Sequence, residues 1–244
     1  MSLNPMHQFE VYKIGPEINL NGVNVSFTNS SLFMTISSIL ILSLLFFGTK
    51  KKSLIPTKLQ LITEISYTFV AKMINDTAGA SAKSFFPFIF TLFMFVLFCN
   101  MVGMLPYSFT VTSHIIVTFV LAAFVFVGVT VVGFIKHGIK YLELFVPKGV
   151  PIVLLPLIVI IEVISYLSRP VSLSVRLFAN MMAGHTMLKV FGGFVISLGL
   201  LGGWLPLSFS VALTGLEILV AFLQAYVFAI LTCIYLNDAL NLHH

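Results

Sequence analysis

PIVLLPLIVIIEVISYLSRPVSLSVRLFANMMAGHTMLKVFGGFVISLGLL, residues 151–201, is a single mostly apolar stretch interrupted by Glu162, Arg169, Arg176 and His185. An unbroken helix of ~50 residues would measure about 75 Å, against a bilayer hydrocarbon core of roughly 30 Å. A single passage must therefore tilt steeply, kink (Pro170 is the candidate) or break. Arg176 lies near the middle, where an arginine costs roughly 2.5 to 3.5 kcal/mol in a membrane. Its guanidinium does not shed its proton, so the charge is permanent. At 100° per residue, Glu162, Ser165, Arg169, Ser172, Arg176 and Asn180 fall within about 40° of one direction, forming a polar stripe down one face. A stripe of serine and asparagine alone would suit helix packing. Two arginines and a glutamate mark a functional face instead.

Working outward, 59% of the 244 residues are hydrophobic and 9% charged, against about 25% charged in soluble domains. Several apolar runs are of spanning length. The class is a polytopic membrane protein. The net charge of +5 does not indicate nucleic acid, because the basic residues flank apolar segments and form no aromatic-interleaved patch. Cys99 and Cys233 sit inside apolar runs and read as packing residues, with no metal or cofactor site indicated.

The polar first 30 residues lack the pattern of a cleaved signal and read as a short extramembrane segment. A first span over about Leu32 to Phe47 stops at Lys50, Lys51 and Lys52. From Thr57 to Ala78, Leu59, Ile62, Ile65, Phe69 and Met73 recur at helical steps among charged residues. That spacing predicts an amphipathic helix at the membrane interface. Spans over Phe85–Leu105 and His114–Ile135 follow, joined by a loop without charge. After residues 151–201 come a turn at Gly199–Pro206 and a last span over about Leu207–Leu236. The expected organisation is one membrane domain over 1–244, with an outer segment (1–30), peripheral helices (31–148) and two long helices (149–244).

Lys50, Lys51, Lys52, Lys58, Lys72, Lys83, Lys136, Lys140 and Lys148 all fall on one side if the N-terminus is outside and five passages put the C-terminus inside. His185, nine residues past Arg176, points to the opposite side of its helix. In the last span Glu217 and Gln224 share a face. If the two segments pack antiparallel with Gln224 opposite Arg176, Glu217 and His185 reach similar depth. A buried glutamate and histidine side by side can relay protons, each tuned toward neutrality by burial and by the other. Glu162 lies toward the inner surface, and His137 reads as a solvated residue there.

The run SRPVSLSVRLFANMMAGH at residues 168–185, with LTGLEILVAFLQAYVFAILTCIYLNDALNLHH to the C-terminus, resembles subunit a of the F-type ATP synthase. The similarity extends to SFTNSS before the first span and to FCNMVGMLPYSFTVTSHIIVTF, covering essentially the whole chain. The resemblance implies an all-α fold: an outer helix, an interfacial helix, a transmembrane hairpin, and two long, steeply inclined helices against a ring of c subunits. Arg176 matches the family's stator arginine, with Asn180 and Gln224 as polar neighbours. His185 and Glu217 match the pair of the outer half-channel, in the histidine-first order of mitochondrial and alphaproteobacterial members. Glu162 matches an acidic residue of the inner half-channel. Asn100, Ser172 and His114 are candidate channel-lining groups. The implied partners are the c ring, the b subunits of the peripheral stalk, the rest of the complex and membrane lipid; no nucleic acid or cofactor is implied. The chain is expected to be a non-catalytic, proton-conducting subunit of a bacterial inner membrane, or alternatively of a mitochondrial one. Consistently, it has no GxxxxGK[ST] phosphate loop. The rival reading, an autonomous secondary transporter or ion channel with Arg176 binding an anion, would require substrate movement by this chain alone in liposomes. A membrane scaffold without transport leaves ionisable groups at several depths unexplained.

Overall fold

The computed structural model describes residues 9–14, 19–20, 23–24, 26–50, 55–105, 108–146 and 154–241. Lys51, Lys52 and Lys148 of the charge count, and the first residues of the 151–201 stretch, lie outside the described residues.

Six helices carry the fold: α1 (Asn29–Lys50), α2 (Lys58–Ala78), α3 (Phe86–Gly103), α4 (Ile115–His137), α5 (Leu155–Gly202) and α6 (Trp204–Leu240). All but α2 belong to segments long and apolar enough to cross a membrane, so the chain is a multi-pass membrane protein. The polar N-terminal segment adds a two-stranded antiparallel ladder, β1 (Asn19–Leu20) with β2 (Val23–Asn24). Asn29 ties this segment to α1: its Nδ2 donates to the Glu10 carbonyl at 3.0 Å, and its Oδ1 accepts from the Tyr12 N–H at 3.2 Å.

Helix α2 starts at the cap of Thr57, whose side chain accepts from the Gln60 N–H, satisfying one of the orphan donors of a helix start. Its expected apolar stripe divides. Leu59, Ile62 and Ile65 are exposed, Phe69 is half-buried and Met73 is buried. Gln60 and Thr63 turn inward instead, and Thr63 packs where Gly48 of α1 leaves no side chain in the way.

The core lies where α3, α4 and α5 meet α6. Helix α6 presents Ala221, Ala225, Ala229 and Cys233, all fully buried, and small residues at helical spacing let neighbouring backbones approach closely in a membrane bundle. Against this face pack Ile89, Phe93 and Val96 of α3 and Ala122, Val125 and Val129 of α4. Lys136 Nζ and His137 Nε2 of α4 donate to the Leu240 carbonyl at 2.9 and 3.2 Å. They thus meet the unpaired, partly negative end of α6. His137 is therefore a half-buried capping residue and not the solvated one expected.

Helix α5 spans 48 residues, about 72 Å, and forms a hairpin with α6. The backbone keeps helical angles through Pro170; the one non-helical residue is Gly199, at φ 61°. That conformation is open to glycine and strained for residues with a Cβ. The expected turn over Gly199–Pro206 is thus narrower. Helix α6 already begins at Trp204, with Pro206 in its first turn, where the missing N–H of a proline costs no hydrogen bond.

Candidate functional site

The polar stripe of α5 runs beside a buried face made by Tyr166, Pro170, Leu173, Leu177 and Met181. Along the stripe Ser165, Ser172, Arg176 and Asn180 are exposed, while Glu162 and Arg169 are half-buried. Arg176 makes no hydrogen bond or ion pair among the described residues, and neither does Glu162. A permanent charge on an apolar helix without an ion pair among the described residues is costly in a membrane.

Half a turn round the helix, His185 faces the opposite way and is part of a polar cluster at the C-terminal end of α3. Its Nε2 lies 2.9 Å from the Gly103 carbonyl oxygen at the end of α3, and its Nδ1 meets Glu217 Oε1 of α6. Glu217 is 4% exposed, and its Oε2 has no hydrogen-bond partner among the described residues. The carboxylate fits because residue 184 is glycine: a Cβ there would stand 2.8 Å from Glu217 Oε1. Asn100, fully buried, links the cluster to α6 by donating to the Ala221 carbonyl at 3.2 Å. Its Oδ1 accepts from Thr112 Oγ1 at 2.8 Å. Thr110 Oγ1 donates to the same Gly103 carbonyl as His185, at 3.1 Å. Hydroxyls of residues 108–113 thus tie this part of the loop between α3 and α4 to the Gly103 carbonyl and to Asn100.

His114 lies on that loop, just before α4. It stacks on Phe109 with ring centroids 5.0 Å apart, and its Nε2 is buried without a partner among the described residues. Burial pushes its pKa below the usual histidine value, partly offset by a hydrogen bond to the Phe9 backbone.

A second cluster lies toward the other end of the hairpin. Arg169 Nη1 meets Asp238 Oδ2 of α6 at 3.1 Å, with its guanidinium over the rings of Tyr166 and Tyr235 at 5.2 and 4.9 Å. The Tyr166 hydroxyl shares hydrogen bonds with Tyr141 (3.0 Å) and Thr130 (2.7 Å). Asp238 was missed in the sequence, although it lies two seven-residue steps beyond Gln224 on nearly the same helical face.

The structure brings His185, Glu217 and Asn100 together. It does not join Arg176 to Gln224, which is buried on the core face of α6 and makes no hydrogen bond with the described residues. An Arg176–Gln224 alignment would set His185 across from Gly215 and Arg169 across from Leu231. The observed His185–Glu217 pair is two residues from that register, as the expected similar depth requires, while Arg169 reaches Asp238, seven residues along from Leu231. Ser172 is exposed and His114 stands apart on the loop.

The family described as ATP synthase A chain matches residues 31–237. Among similar chains, ATP synthase subunit a of Pelagibacter ubique (strain HTCC1062) is 78% identical over 244 residues, covering 100% of both chains. The subunit of Chelativorans sp. (strain BNC1) is 59% identical over 250 residues, again with 100% of both covered. That of Mesorhizobium japonicum is 58% identical, covering 99% of this chain and 98% of the other.

Proposed function

Because the chain belongs to the ATP synthase subunit a family, and so is a non-catalytic, proton-conducting stator subunit of the membrane sector, we propose that its clusters form two offset half-channels gated by Arg176. The observation that carries this reading is the exposed Arg176, unpaired among the described residues, on the same helix as the inward-facing His185.

In this reading the N-terminus is outside, the C-terminus is inside, α2 lies at the inner interface, and the membrane is the bacterial inner membrane. A proton enters from the outer side at the Glu217–His185 pair, beside Asn100, and neutralises a carboxylate of a c subunit. That subunit can then rotate into lipid, where an ionised carboxylate would be costly. Near Glu162 the carboxylate gives its proton to the inner side. Arg176, flanked by Asn180 and with Gln224 on the facing helix, attracts the ionised carboxylate, favours its deprotonation and repels a proton crossing directly between the half-channels. Ser172 and His114 line the path less directly. The partners are the c ring, which meets the α5 stripe, and the b subunits, with the rest of the complex using the rotation for ATP synthesis.

A density map of the assembled complex tests this directly. The Arg176 guanidinium should lie within ion-pairing or single-water distance of a c-ring carboxylate, and a ring seated on another face would refute the reading.

A further inference from the structure

We propose that the Gly103 carbonyl is the positioning group of the His185–Glu217 pair: it commits His185 to the tautomer protonated on Nε2, making the ring a side arm that holds a proton on Nδ1. His185 is then no link through which protons pass. The inference rests on the half-channel reading and specifies how that site works.

A carbonyl oxygen only accepts. With Nε2 at 2.9 Å from the Gly103 oxygen, the hydrogen of that contact belongs to Nε2 in both the neutral and the charged ring. The bond made by one ring nitrogen fixes the protonation of the other. In the neutral ring Nδ1 is therefore bare and faces Glu217 Oε1. Two bare acceptors in contact would repel in so buried a site, so one proton is held between them. It resides on Nδ1, giving imidazolium and carboxylate, or on Oε1, giving imidazole and carboxylic acid. Transfer breaks the N–H bond, forms the O–H bond and leaves the net charge of the pair unchanged.

A relay through the ring would require Nε2 to deliver its proton to a base, and the Gly103 carbonyl is not one. The carboxyl group has a second oxygen, Oε2, buried and without a partner among the described residues. Glu217 can gain a proton on one oxygen and lose one from the other, so the through route belongs to Glu217, while His185 stores and returns a proton beside it. Two glycines permit the geometry. A Cβ on residue 103 would stand 2.8 Å from Thr110 Cγ2, and one on residue 184 would stand 2.8 Å from Glu217 Oε1.

The test uses the intact ATP synthase in membranes with 15N-histidine, the His185 signal being assigned by difference from the His185→Gln complex. The neutral ring is expected to carry its proton on Nε2; a neutral ring protonated on Nδ1 would overturn the proposal. ATP-driven proton pumping by assembled variants gives the second readout. Glu217→Gln is expected to lose about a hundredfold or more, with His185→Gln retaining activity within about tenfold of wild type. Equal loss in both would make the ring a through relay and overturn the proposal. Wild-type pumping by both would sink the half-channel reading itself, and this inference with it.

Discussion

Arg176 and His185, nine residues apart on one continuous helix, face opposite ways: Arg176 is exposed and unpaired among the described residues, while His185 is turned onto the Gly103 carbonyl and Glu217. One rigid element thus holds the exposed charge at a set distance from the inward-facing His185–Glu217 pair. With helical backbone angles kept between them, neither residue can shift along α5 without the other.

Gly184→Ala should impair proton pumping while assembly persists, because the added Cβ would stand 2.8 Å from Glu217 Oε1 and must push the carboxylate off His185. A displacement of that size can cost on the order of a hundredfold in rate. Gly192, where a Cβ meets nothing within 4 Å, is the control: Gly192→Ala should pump normally. Pumping assays on the two variants side by side decide it, and equal rates would argue against a tight Gly184 contact.

Asn100→Leu should lower the thermal stability of the subunit, since it leaves the buried Thr112 hydroxyl without its acceptor and removes the tie to the Ala221 carbonyl, which keeps its own helical bond. Each group left unsatisfied costs about 1–3 kcal/mol. The check is the melting temperature of the purified complex in detergent, which should fall; an unchanged value would mean that water replaces both bonds freely.

Arg169→Met should loosen the end of the hairpin away from its turn more than Asp238→Asn does. The arginine contributes an ion pair and two ring contacts, whereas the aspartate contributes the ion pair alone. Both groups are partly exposed, so the pair itself is worth on the order of 1 kcal/mol, and the ring contacts add a comparable amount. Limited proteolysis near the C-terminus should rank the variants in that order, and the reverse ranking would contradict the assignment of the ring contacts.

His114 supplies a pH dependence whose sign is fixed. Burial lowers its pKa in the folded loop, so its neutral form is favoured there. The associated stability is present above the ordinary histidine range and is lost as pH falls through the lowered value. Protection factors of the amides in residues 108–114, corrected for the intrinsic pH dependence of exchange, should fall on acidification in the wild type and much less in His114→Phe, which keeps a ring against Phe109. Identical acid responses would assign the effect to another group.

The five spans and the hairpin were legible because apolar run length and helical spacing report burial directly. The opposed directions of Arg176 and His185 were legible for the same reason: nine steps of about 100° make a half turn in any α-helix. The register of α6 against α5 was not. It is set by side-chain reach and packing across the seam: the Arg176–Gln224 alignment that spacing suggests brings His185 to the depth of Glu217, as observed, but does not bring Arg169 to Asp238. The loop carrying Thr110 and Thr112 left no periodic signal, since its hydroxyls find partners through a fold-back that no spacing encodes. The turn read from Gly199 was legible, since a positive φ cannot be absorbed in a helix, whereas Pro170, the candidate kink, keeps helical angles because a long helix can carry a proline.

ATP-driven acidification of vesicles bearing the Arg176→Ala complex is the most direct measurement. The side chain is exposed and makes no hydrogen bond or ion pair within the described chain, so the complex should assemble yet pump no protons. Arg176→Lys, with its compact and deprotonatable head, should lose most activity. Coupled pumping at the wild-type rate by Arg176→Ala would contradict the account of Arg176 as the charge that separates the two half-channels.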